Sequence, residues 1–134
     1  MRFMAIMIPG VYQPGSKIDP NFRPSVDELD EMGKFNEELG KKCEILALDD
    51  LHPLTTKGAR LSYAGGKPIV TDGPFIEARE VVGGYWLLEA KSKDELVDLF
   101  KRCPAKTDDV IEIRQVYEMS DLRPRVEPAA KAKS

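Results

Sequence analysis

At 134 residues and 15.0 kDa the chain has the size of one domain, enough to bury roughly two-thirds of its unfolded surface. Its 42% hydrophobic and 32% charged residues, with 10 Gly and 10 Pro, exclude a disordered chain, a collagen or repeat array and a disulfide-dense mini-protein. A net charge of −3 and a pI near 5.3 argue against nucleic acid as a partner, because phosphate binding needs a clustered basic surface.

The start, Met1-Arg2-Phe3-Met4, leads straight into a strand-like segment over Phe3 to Ile8 that is apolar on both alternating faces. It has no signal-peptide pattern, and no apolar run approaches the ~20 residues of a membrane span. A cytoplasmic protein without a membrane partner is expected. Residues 9–24 hold four prolines and two glycines, a long loop of the kind that is often functional or flexible. Tyr12, Lys17 and Arg23 within it would close over a pocket or simply move with the loop.

From Ser25 the pattern becomes helical. Ser25 caps, Asp27 and Glu28 suit the first turn, and Leu29, Met32, Phe35 and Leu39 share one face as far as Gly40. Asn36 falls within that stripe, as a rim residue or a buried polar handle. Cys43 to Leu48 alternates as a strand, with Glu44, Leu46 and Leu48 opposed to Ile45 and Ala47. Residues 60–64 and 68–71, joined by Gly65-Gly66-Lys67, read as a hairpin. After the sharp turn at Asp72-Gly73-Pro74-Phe75, a short helical stretch to Glu80 is broken by Gly83-Gly84. Tyr85 to Ala90 is again apolar on both faces. Ser92 caps a second helix with the stripe Leu96, Leu99, Phe100 and Cys103, stopped by Pro104. Val110 to Tyr117 is the last strand.

This order is β-α-β, a hairpin insertion, then β-α-β: an α+β, ferredoxin-like split β-α-β antiparallel sheet with two helices on one face. The two strands apolar on both faces should be central. Since two helices cover one face only, the other needs a second cover. The expected cover is the sheet of a second copy, giving a homodimeric α/β barrel with a cavity between sheets. A monomer whose insertion folds over its own open face is the alternative. Residues 1–119 form the expected domain, and 120–134 a flexible Pro/Ala/Lys-rich tail. Arg123, Arg125, Lys131 and Lys133 against Glu127 make that tail basic on an acidic body.

Cys43 and Cys103 lie far apart without a CxxC spacing and read as small buried hydrophobes. With His52 the one imidazole, a zinc site lacks ligands, and no metal is expected. There is no GxGxxG after a strand, no GxxxxGK[ST], GxSxG or HExxH, so no cofactor is expected either.

Asp72 is a turn former before Gly73-Pro74, and also a general base if burial raises its pKa. His52 is the side chain whose ordinary pKa lies nearest neutrality, and Pro53 restricts its backbone. The two are the catalytic candidates, as an acid/base pair if they approach. Arg79 would hold an anionic group through its planar fork or pair with Glu77 beside the turn. Tyr85 and Trp86 alternate across a central strand, so one should face the helices and the other the cavity. Arg79, Glu77, Tyr85, Trp86 and Asn36 are therefore the ligand-binding candidates.

Asp72-Gly73-Pro74-Phe75, followed by Glu77-Ala78-Arg79-Glu80 and Gly83-Gly84-Tyr85, resembles the YCII-related family, in its branch named after the DGPF motif. Leu51-His52-Pro53, the hairpin segment Pro68 to Thr71 and Arg102-Cys103-Pro104 stand in the same order, so the resemblance runs over most of the chain. It implies a dimeric α+β barrel of ferredoxin-like subunits and little about activity. Some relatives carry a His–Asp dyad with its His on the first helix, whereas residues 25–41 here contain no histidine. An association of this branch with alternative sigma factors is also implied. The expected function is binding of a small polar organic molecule in the inter-sheet cavity, with or without cofactor-independent proton transfer. The alternatives are a ligand-binding or regulatory module acting with a transcription factor, and a pure interaction scaffold.

Overall fold

A computed structural model describes residues 1–13, 23–52, 57–72 and 82–122, with the backbone alone for Thr71 and Asp72. The described elements are β1 (Arg2–Ile8), α1 (Val26–Lys42), β2 (Glu44–Asp50), β3 (Ala59–Ser62), β4 (Ile69–Asp72), β5 (Gly84–Glu89), α2 (Lys93–Phe100) and β6 (Val110–Gln115). Short 3-10 turns occupy Gly10–Tyr12 and Ala64–Gly66. The expected helical turn to Glu80 and most of the proline-rich loop lie outside the described residues. Residues 118–122 form a hydrogen-bonded turn in which the Glu118 N–H donates to the Asp121 carboxylate at 2.8 Å. The rest of the expected tail is likewise outside.

Four strands make one antiparallel sheet in the order β2-β5-β1-β6, and β3 and β4 pair separately with each other. The doubly apolar strands β1 and β5 are central, as expected. Both helices lie on one face. Phe35 and Leu39 of α1 and Leu96 and Phe100 of α2 form a single core with Phe3, Ala5, Trp86 and Leu88 of the central strands. Trp86 sits in the middle of this layer, edge-on to Phe35 and Phe100 at centroid distances of 6.3 and 5.0 Å.

The helix starts follow local chemistry. Ser25 and Glu28 form a reciprocal capping box: the Glu28 N–H donates to Ser25 Oγ at 3.1 Å and the Ser25 N–H to Glu28 Oε1 at 3.2 Å. A Lys106 ammonium contacts the same Glu28 carboxylate. The hydrogen bond from Lys106, ahead of those from Ser25, holds the Glu28 carboxyl below its ordinary range. Ser92 Oγ accepts from the Glu95 N–H at 3.1 Å to open α2. Two details differ from the sequence reading. Helix α1 continues past Gly40 to Lys42, and Leu29, expected on the buried stripe, is 57% exposed. The buried side chains of α1 are Phe35 and Leu39, so the helix packs through its C-terminal half.

Strand β2 also departs from simple alternation. Its pairing with β5 shifts register between Ile45, opposite Leu88, and Ala47, opposite Leu87. Leu46 is the extra residue of a β-bulge, and a bulge reverses the parity of everything beyond it. Ile45 therefore shares the helix side with Leu88, while Ala47 and Asp49 share the opposite, open face with Leu87 and Tyr85. Without the bulge, Asp49 would lie on the face of Ile45.

The open face carries Met4, Ile6 and Leu87 along its centre, all half-buried. Arg114 and Glu112 of β6 stand opposite Met4 and Ile6, and Glu44 stands opposite Glu89. Arg2 donates through Nε and Nη2 to the two carboxylate oxygens of Glu118, both at 3.1 Å. The Met1 ammonium contacts Glu89.

Candidate functional site

One set of polar groups on the open face, Tyr85 with Asp49, lies at the corner of the sheet where β1 and β2 end and β5 begins. Three hydrogen bonds close that corner. The Gly83 N–H donates to the Met7 carbonyl and the Leu51 N–H to the Gly83 carbonyl, both at 2.8 Å, and Tyr12 Oη donates to the Leu51 carbonyl at 3.3 Å. Two glycines allow three chain segments to meet so closely. A Cβ on Gly83 would lie 2.3 Å from Pro9 Cγ, and one on Gly84 would lie 3.0 Å from the Asp49 carbonyl oxygen and 3.1 Å from an Asp50 carboxylate oxygen.

On the open side of this corner Tyr85 Oη donates to Asp49 Oδ2 at 2.7 Å. That bond, more than burial, raises the Tyr85 hydroxyl above its ordinary pKa. Tyr12 is raised as well, by burial first and by the Asp50 charge second. The sign is clear for Tyr85: folding favours its protonated form, so its contribution is complete below the ordinary tyrosine pKa of about 10 and fades as pH rises through the higher folded value. Phenolate absorbance checks this. The titration of the wild type minus that of Tyr85→Phe should show one tyrosine ionising late, and Asp49→Asn should bring it back to the ordinary range. An unchanged curve in Asp49→Asn would remove Asp49 as the cause.

The residues singled out from sequence fall into four groups. Tyr85 lies on the open face, bonded to Asp49. Trp86 faces the other way and donates from Nε1 to Asn36 Oδ1 at 2.8 Å, so these two side chains are engaged with each other in the helix-side layer. His52 is exposed just beyond β2. Asp72 ends β4, its backbone paired with Ala59, while its side chain and the whole of Glu77 and Arg79 lie outside the described residues. Asp49 and Asp50 were missed as candidates. Two acids closing a strand were visible, but the bulge that turns Asp49 towards Tyr85 was not.

Among the described residues, no other polar groups form a rival centre. Cys103 is raised to about 11, by burial first and by Asp109 second. Cys43 is raised by burial and then by Glu95; both thiols are poor nucleophiles there. Among the described residues no three His, Cys, Asp or Glu side chains converge as metal ligands, and no helix is long and apolar enough to cross a membrane. A groove of about 340 Å³ is lined by Phe35, Leu39 and Lys34 of α1 together with Leu99, Arg102 and Pro104 from the end of α2 and just beyond it. It contains none of the corner residues. The corner is the more informative place because its polar groups have fixed partners and a defined direction.

A four-stranded antiparallel sheet ordered β2-β5-β1-β6, with both helices behind it, defines a ferredoxin-like α+β protein. Residues 4–120 match the sequence profile of the YCII-related domain, and the chain belongs to the YCII-related family. It is also similar to an uncharacterized protein of Rhizobium meliloti (strain 1021), 43% identical over 44 residues. That match spans 33% of this chain and 36% of the relative, about a third of the length of either.

Proposed function

We propose that this protein, a member of the DGPF branch of its family, acts in the cytoplasm as a homodimer that binds a small polar organic molecule over the open face of the sheet. The observation that carries this reading is the combination on one face of half-buried Met4, Ile6 and Leu87 with the oriented Tyr85–Asp49 pair. Apolar walls with a few directed polar groups are what a small-molecule site needs. Tyr85 and Asp49 offer the ligand a hydroxyl and a carboxylate oxygen held in place. Arg79 and Glu77, from the DGPF segment, fix a charged end of the ligand. Trp86 and Asn36 act from behind the sheet by holding β5 in position.

In the catalytic form of this reading His52 and Asp72 move a proton on the bound molecule, with no cofactor. Two measurements test it. Amide NMR with a panel of small hydroxy- and keto-carboxylates should shift Gly84, Tyr85 and His52 together, and Arg79→Gln should weaken that binding about 10-fold. Shifts scattered over the surface, or none, would sink the site. The His52 ring titration should change in Asp72→Asn, and an unchanged titration removes the acid/base pair. Binding without turnover assigns the regulatory role, acting with a transcription factor.

A further inference from the structure

The main sheet has β2 at one edge and β6 at the other. An edge strand is a template for pairing with another chain, and natural edges are guarded by bulges or by charges. β2 has both guards: the bulge at Leu46, and the acids Glu44, Asp49 and Asp50. β6 has neither a bulge nor a run of like charge. Its register with β1 is unbroken to Val110, and it holds no proline and no lysine.

One hydrogen bond fixes the direction of its backbone groups. The Val116 N–H donates to the Arg2 carbonyl at 2.9 Å, and such bonded pairs recur at every second residue of an antiparallel ladder. Val110, Glu112 and Arg114 therefore bond to β1, while Ile111, Ile113 and Gln115 turn their N–H and C=O outward. Among the described residues nothing bonds to these outward groups. The side chains alternate as well. Ile111 and Ile113 face the helices and border a groove of about 410 Å³ with Val97 and Phe100. Glu112 and Arg114 face the open side beside Ile6 and Met4, with Val110 and Val116 in the same row. Both charged side chains are exposed, and among the described residues neither is in an ion pair.

The strand is complementary to itself. When a second β6 lies antiparallel along this edge, the outward groups must meet, so Ile111, Ile113 and Gln115 can pair only among themselves. A register centred on Glu112 sets that acid against its own copy, and one centred on Arg114 does the same with cations; like charges directly opposite are destabilising. The register centred on Ile113 sets Glu112 against Arg114 and Val110 against Val116. These fall in the pairs without backbone bonds, where side chains come closest. Charge thus selects one register and one occupant.

We propose that β6 is the contact of the homodimer: the strands of two copies pair antiparallel about Ile113, and the two sheets continue into one with both open faces on the same side. Ile113 exchanges backbone hydrogen bonds with Ile113 of the second copy, and Ile111 with Gln115 of the second copy. Glu112 pairs with Arg114 of the second copy, and the groove beside Val97 and Phe100 receives apolar side chains from across the seam. This rests on the homodimer of the reading above, gives it a surface, and leaves its ligand face free.

Charge exchange tests the contact. Glu112→Arg sets cation against cation across the seam, and Arg114→Glu sets acid against acid. Light scattering on each variant alone should show dimer dissociation raised about 30-fold. An equal mixture of the two variants should recover wild-type dimerisation, because every opposed pair is then unlike. The exposed positions should leave the circular dichroism of each chain unchanged, and recovery in the mixture shows that both chains fold. As a second readout, the Ile113 amide should exchange at least ~10-fold more slowly in the wild-type dimer than in dissociated Glu112→Arg. A mixture that stays dissociated, or an Ile113 amide equally fast in both, overturns the proposal. Single variants as dimeric as the wild type overturn it too, and leave a homodimer joined elsewhere. A wild type that is monomeric at every concentration overturns the homodimeric reading as well.

Discussion

Gly83→Ala is expected to lower stability by about 3 kcal/mol, the upper end of what overpacking costs a buried site. The space for a methyl group is already filled, by Pro9 Cγ at 2.3 Å, Pro9 Cδ at 2.7 Å and Tyr12 Cε2 at 3.2 Å. Gly83 is not among the residues with positive φ, so the demand is for room and not for an unusual backbone. Pro9 cannot retreat by rotating, because its ring is fused to the chain where β1 ends. Relief has to come from moving the Pro9–Tyr12 turn or from lengthening the bonds from Gly83 N–H to Met7 and from Leu51 N–H to Gly83. Urea unfolding measures the loss, and hydrogen exchange at the Leu51 amide should quicken with it. Pro9→Ala in the same chain should recover part of the loss, since it removes the ring that the methyl strikes. A loss below about 0.5 kcal/mol, the ordinary effect of a surface change, would mean that the corner is not tightly closed.

Trp86→Ala should cost about 4 kcal/mol, within the range for removing a large aromatic from a core. Trp86 is 4% exposed and touches one aromatic from each helix, Phe35 and Phe100. Its removal opens a cavity where both helices meet the sheet, and neither helix can fill it alone. The bond to Asn36 adds a separate effect. Asn36→Leu leaves a buried indole N–H without an acceptor, at about 2 kcal/mol, whereas half-exposed Asn36 can turn to water in Trp86→Phe. The double variant Asn36→Leu/Trp86→Phe should therefore lose less than the two single variants added together, by about 1 kcal/mol. Strict additivity in denaturant unfolding would show that the bond contributes nothing.

The architecture was legible because its signals are periodic and local. β1 and β5 announce their central place by being apolar on both faces, and Ser25 and Ser92 mark the helix starts through capping chemistry that spans three residues. The corner was less legible because its geometry depends on long-range meetings. Nothing near Gly83 in sequence says that Pro9 will occupy the space of its missing side chain. Asn36 was recognisable as a polar residue in an apolar stripe, but its partner Trp86 lies on a strand 50 residues away. Leu29 shows the opposite failure: it has the right helical spacing, yet it stands where α1 does not meet the core, and periodicity cannot tell how much of a helix is covered. The DGPF segment was the clearest motif, and Glu77 and Arg79 within it remain proposals.

The extra residue at Leu46 works as a parity switch for the far half of its strand. A shortened chain lacking Leu46 would alternate plainly and still set Asp49 opposite Tyr85. A chain that kept Leu46 as an ordinary paired residue would instead send Asp49 into the greasy layer beneath the helices and set Leu48 opposite Tyr85 in its stead. Comparison of relatives by simple letter matching could thus pair acids that point in opposite directions. The chemistry available to this surface is written as much in the count of residues along one edge as in their identity.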